Sequence, residues 1–281
     1  MSKITALIFT RFREGAERVA SWLVKARFEA LFLDLPQDLE PFLKMHVEGE
    51  TSIKDFWSSY GYLTGFQQPF INALKFTFDP ILDALVRLHR EMREHEIYCY
   101  QELAHHIEGT RLSERLILLE TKSRVSSKIV VEEWRTLLRD ELEYADSGLR
   151  RAVANIAEGA MAQARNVVLY HGVIKPFKAC MAAEGFTVEA VYLQHHWRSP
   201  LEVLRVIAGV KGVDSLSNKM IARCVQCHLR YLDHVLSSND VDAAHKQWTH
   251  EIRRKPVKEI RFPKTQKAAE RCIGVRAFEA S

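Results

Sequence analysis

Twice along this chain a short apolar run rich in β-formers is followed by a stretch of helical spacing and then by another β-rich run, and that alternation dictates a sheet covered by helices. Ile4 to Thr10 reads as the first strand. From Glu14 to Arg27 the apolar residues Ala16, Val19, Ala20, Leu23 and Val24 share one helical face, which predicts an amphipathic crossover helix. A second strand, Ala30 to Asp34, stops at Leu35-Pro36, because proline has no N–H for a ladder and restricts the residue before it. The second unit has a strand over Asn166 to Tyr170, a helix over Ile174 to Glu184 closed by Gly185, and a strand over Val188 to Leu193. Between the units a helical insertion at about 37–94 leads to a third strand, Ile97 to Tyr100, and Leu112 to Ala164 is mostly helical, either one long helix or a helical hairpin, with Ser147-Gly148 as a candidate break. Pro200 to Ala208, Leu216 to Leu236 and Asp242 to Ile252 are the remaining helices. The fold class is therefore α/β, with a parallel or mixed central sheet built from two βαβ units and large helical insertions. Residues 1–249 form the α/β domain and 250–281 a basic C-terminal segment.

With 47% hydrophobic residues in 281, the chain can bury a sizeable core. Its net charge of +4 is local: residues 250–281 hold nine Lys/Arg and four Asp/Glu, or +5, which leaves −1 for everything before them. No apolar run approaches the roughly 18 residues of a spanning helix, so no membrane contact is expected. The apolar run before Arg11 is too short for a secretory leader, and five scattered cysteines suit reduced thiols, which together point to a cytoplasmic protein.

In open parallel sheets ligands bind beyond the carboxyl ends of the strands. There this chain places Arg11 and Arg13 after the first strand, Asp34 after the second, Gln101, Glu102, His105 and His106 after the third, His171 after the fourth, and His195 and His196 after the fifth. Imidazoles can ligate a metal or carry protons, carboxylates can act as bases, and guanidiniums suit an anionic group. Converging loops would make His171, Asp34 and Arg11 catalytic, with Arg13, His105 and His195 binding substrate and His171, His106 and Asp34 holding a divalent metal. The competing account is ordinary loop polarity. Eight aromatics between Phe56 and Phe78 fit either a lid over a planar ligand or a packing stripe, and the i+4 steps of Phe66, Phe70 and Leu74 favour packing. Cys224-Val-Gln-Cys227-His228 has the spacing of a covalent haem attachment motif, but that chemistry belongs outside the cytoplasm. On a helix the three residues share a face, so a thiolate/imidazole metal site completed by His234 stands beside the plainer account of core cysteines. Absence of G-x-x-x-x-G-K-[ST], G-x-G-x-x-G, H-E-x-x-H and G-x-S-x-G removes the best-signposted nucleotide, zincin and serine-hydrolase chemistries.

The stretches Leu7-Ile8-Phe9-Thr10-Arg11-Phe12 and Glu29-Ala30-Leu31-Phe32-Leu33-Asp34-Leu35-Pro36, with Gly148-Leu149-Arg150-Arg151 leading to Val167-Val168-Leu169-Tyr170-His171-Gly172, resemble the TraB/ChaN/erythromycin-esterase-like superfamily. The resemblance covers roughly residues 4–36 and 148–193. It implies a hydrolytic or metal- or haem-linked activity, with Asp34 as the acidic residue, Arg150 or Arg151 as the arginine and His171 as the second histidine. The superfamily's first histidine has no counterpart, since the turn reads Thr10-Arg11-Phe12-Arg13. Two functions follow as expectations. One is a hydrolase-like enzyme acting on a small or anionic substrate at the carboxyl edge, with a divalent metal as the first cofactor to consider and haem the second. The other is a binding or assembly protein whose residues 253–276 contact nucleic acid or an acidic partner with steep salt dependence; a homodimer is compatible with either.

Overall fold

The computed structural model describes residues 3–9, 12–91, 95–194 and 198–254, with side chains as far as Trp248. In chain order the elements are β1 (Lys3–Ile8), α1 (Arg13–Lys25), β2 (Ala30–Pro36), a 3-10 turn, α2 (Glu40–Glu48), α3 (Ile53–Thr64), α4 (Gln68–Arg90), β3 (Glu96–Gln101), α5 (Leu103–Ser126) and α6 (Val131–Ala160). Then follow β4 (Arg165–Tyr170), α7 (Ile174–Ala183), β5 (Thr187–Tyr192), α8 (Pro200–Lys211), a second 3-10 turn, α9 (Asn218–Leu236) and α10 (Val241–Arg254). None of the described helices is long and apolar enough to cross a membrane.

The five described strands form one parallel sheet in the order β3-β2-β4-β1-β5. The two βαβ units are interleaved: β4 lies between β1 and β2, and β1 lies between β4 and β5. Strand alternation then sorts the side chains onto two faces. Leu7, Phe9, Leu31, Leu33, Leu35, Val167 and Leu169 pack with α1, α3 and α4 on one face. Ile4, Ala6, Ile8, Phe32, Val168 and Tyr170 pack with α6 and α7 on the other. Ala16, Val19 and Leu23 of α1 are fully buried, so its apolar stripe fixes it on the first face; burial contributes roughly 1.5–3 kcal/mol for each large side chain.

The insertion is helical, and its aromatics are core. Phe56, Trp57 and Tyr60 are almost completely buried and join edge-to-face, with centroids 5.1 and 5.6 Å apart. The helix after β4 ends as its sequence implies, Gly185 taking φ 86° beyond the last turn. One boundary differs from expectation, and the candidate break does not form. β2 runs on to Pro36, which pairs with Gln101 after an irregularity beyond Leu33, and α6 is unbroken at Ser147-Gly148.

The chain divides into two compact units, one of residues 1–118 and 140–196 and one of residues 119–139 and 197–281, so α5 and α6 each contribute to both. The first holds the sheet. In the second, Arg135 organises the turn between α8 and α9, donating to Val213 O, Leu216 O and Asn218 Oδ1 at 2.8, 3.0 and 2.6 Å.

Candidate functional site at the carboxyl edge of the sheet

β1 and β4 are neighbours, with Ile8 in register with Tyr170, yet the chain leaves β1 for α1 on one face and β4 for α7 on the other. Their loops diverge at a topological switch point, where open α/β sheets form a crevice. Phe9 and His171 lie one residue beyond the last pair, ring centroids 4.3 Å apart. The N-cap residues of α1 and α7 are Phe12 and Val173, and neither supplies a side-chain cap. The first N–H groups of both helices bring partial positive charge to this edge, and the N-cap side chains themselves supply no oxygen to cover it.

One strand away, a polar cluster sits on the α6–α7 face. Leu31, Leu33 and Leu35 point to the opposite face, so alternation turns Asp34 toward this one. The side-chain amide of Gln101 donates to Asp34 Oδ1 at 2.5 Å. Tyr100 anchors the same edge through its hydroxyl, which donates to Leu169 O, and Asn155 of α6 donates to Tyr100 O, both at 2.9 Å. Burial pushes the Tyr170 hydroxyl well above the usual tyrosine range, and the Asp34 charge adds to the shift. The phenol therefore stays protonated.

His105 enters this cluster through close packing of α5 on α6. Its imidazole stacks on the Tyr144 ring with centroids 3.9 Å apart and planes 8° apart. A Cβ at Gly148 would collide with His105 Nε2, and a Cβ at Gly109 would collide with the Tyr144 hydroxyl. The two helical glycines thus make room for the two stacked rings, which explains why α6 carries a glycine without breaking there. Burial lowers the His105 pKa and the nearby Arg151 guanidinium lowers it further, against opposing charges on Glu102, Glu108 and Asp34. Its neutral form is favoured. Arg151 donates to Glu102 Oε2 at 2.6 Å, and an open depression of 420 Å³ lined by Glu143, Asp146, Ser147, Arg150 and Arg151 continues along α6.

No family model matches the chain, and no curated protein or solved structure compared with it matches either. The site must therefore be judged on its own geometry. Asp34 is bonded to Gln101 and is near enough for its charge to act on both His105 and Tyr170, while Glu102 and Arg151 also act on His105. His106 points elsewhere: its Nε2 lies 2.7 Å from the Tyr60 hydroxyl and its ring packs beside Phe66, so successive histidines on α5 serve different neighbours. His171 belongs with Phe9 on the α1 face, and the Arg13 guanidinium is engaged by Glu17 at 3.1 Å. Arg11, His195 and His196 lie outside the described residues, as does the tail from Lys255 onward, while Arg253 and Arg254 fall in α10 without described side chains.

Among the described residues no group of three His, Cys, Asp or Glu side chains could hold a metal ion. The set His171, His106 and Asp34 is not assembled, and its donors do not fit the metal that the superfamily resemblance implies. Cys224, Cys227 and His228 share α9, but burial pushes the Cys224 thiol up to about 11, with Cys227 second, and His228 Nε2 is instead 2.7 Å from Glu120 Oε1. Cys224 and Cys227 are free thiols. Tyr144 and Gly109 are the members of the site that motif reading does not find, and Gly148 stands out in the sequence as a candidate break when it is a point of close approach.

Proposed function

We propose that the carboxyl edge of the sheet is a hydrolase-type site for a small anionic substrate. The first turns of α1 and α7 would hold the anionic group, and Asp34 would act as general base toward water. Gln101 orients the carboxylate, and His105 supplies a neutral imidazole within the same cluster. The observation that carries this reading is the Asp34–Gln101 bond of 2.5 Å at the strand ends, on the same face as α7. The Gln101 amide takes one acceptor position on Oδ1 of a carboxylate that offers about four. The superfamily resemblance supports the same reaction class through Asp34, and the cluster needs no metal ligand set for this role.

The test is hydrolysis of p-nitrophenyl phosphate, an anionic substrate, by the full chain and by Asp34→Asn. Asparagine preserves an acceptor for Gln101 while removing the base, so the fold is retained and the rate should fall by roughly 10²–10⁴-fold. Equal rates for the two proteins, or no turnover by either, would overturn the reading. The second reading, electrostatic binding of nucleic acid, rests on the nine Lys/Arg between Arg253 and Arg276. It predicts oligonucleotide affinity that falls steeply with salt and is indifferent to Asp34→Asn.

A further inference from the structure

The two edges of the sheet are finished differently. On β3 the outward N–H of Cys99 donates to Glu40 Oε2 at 3.0 Å, while Lys44 pairs with Glu40 and lies over the Tyr98 ring, so the chain closes this edge itself. On β5 no equivalent guard is present among the described residues. Leu193 N–H donates to Ile8 O, so the odd-numbered residues of β5 address β1, and the N–H and C=O groups of Val188, Ala190 and Tyr192 point away from the sheet. β5 ends the strand order, contains no proline, and has Tyr192 56% exposed. Its one charge, Glu189, is paired with Lys3 at 2.6 Å, and Lys178 also acts on it. An edge this lightly defended is a template for another strand.

We propose that the outer edge of β5 docks a second copy of this chain, pairing β5 with β5 antiparallel about a two-fold axis and extending the sheet across both copies. The register follows from the outward groups. An axis at Ala190 sets Val188 opposite Tyr192, Ala190 opposite Ala190, and Glu189 opposite Val191. An axis at Glu189 would set two carboxylates directly opposite, which destabilises an antiparallel pair. In the Ala190 register the two glutamates are only diagonal neighbours, and each keeps its own lysines beside it. In this register the edge meets its own copy with its outward N–H and C=O groups matched and no like charges directly opposite, as an isologous interface requires. This inference is independent of the catalytic reading.

Sedimentation of the full chain over a concentration series, with Ala190→Pro and Ala190→Lys, tests it. Proline removes an outward donor and leaves the bonds to β1 intact, while lysine sets two positive charges opposite each other at the axis. The expected result is a wild-type particle of twice the 32.4 kDa chain mass, and a two-fold drop in mass for both variants at unchanged far-UV circular dichroism. Because Ala190→Pro could compromise folding, the lysine variant decides that case. A monomeric wild type, or a dimer that survives Ala190→Lys, overturns the proposal. So does amide exchange at Ala190 that is protected independently of concentration, which would mean that a segment of the same chain occupies the edge.

Discussion

Gly148→Ala tests the packing that delivers His105 to the site. In the interior of α6 alanine is favoured over glycine by about 1 kcal/mol. The new methyl, however, would meet His105 at Nε2 and approach Cε1 to 2.9 Å, and the imidazole cannot retreat because Tyr144 is stacked against it at 3.9 Å. Overpacking of this kind costs about 1–3 kcal/mol, and displacing the ring forfeits about 0.5–1.5 kcal/mol of stacking. The expected net effect is a loss of about 2 kcal/mol. Made in a His105→Ala background, the same substitution meets no ring and should stabilise by about 1 kcal/mol, so the cycle predicts a coupling of about 3 kcal/mol. Urea denaturation of the four proteins, followed by far-UV circular dichroism, reads both numbers. Gly148→Ala stabilising wild type as much as it stabilises His105→Ala would refute the interlock.

The lowered pKa of His105 makes stability pH-dependent in a defined direction. The unfolded chain binds its proton near 6.5 and the folded chain only at lower pH, so the contribution is complete above 6.5 and is lost as pH falls below it. His105→Gln should flatten that part of the profile of urea midpoint against pH, and an unchanged slope would count against burial as the cause. Arg135→Ala should destabilise the helical unit by about 3 kcal/mol, because two carbonyls at the turn between α8 and α9 lose a charged donor. A midpoint shift in urea below the resolution of the assay would contradict that role. With its thiol at about 11, Cys224 should react with iodoacetamide at pH 8 about a hundredfold more slowly than a free cysteine, as read by peptide mass spectrometry.

Local pattern was enough to locate all five strands, because each combines β-branched or aromatic residues with a nearby turn or proline. It could not give their order. Whether β4 inserts between β1 and β2 depends on contacts such as Ile4 with Asn166, which lie far apart in sequence and leave no periodicity behind. The site was legible in part: Asp34 is near the end of β2 and His105 follows β3, and the rule for open parallel sheets directs attention to such positions. What the pattern could not show is facing. His105 and His106 are adjacent in sequence, yet one stacks on Tyr144 and the other reaches Tyr60. Asp34 lies near the end of β2 and His171 directly after β4, but alternation sends them to opposite faces. His228 likewise shares a helical face with Cys224, while its actual partner, Glu120, is 108 residues away.

The account stands on the carboxyl edge as the ligand site, and amide chemical shifts during titration with inorganic phosphate test that most directly. The prediction is saturable shifts concentrated at Arg13 and Glu14 of α1 and at Ile174 and Lys175 of α7, with side-chain shifts of Gln101 and His105. Saturable shifts confined to other parts of the chain, or none at all, would contradict it.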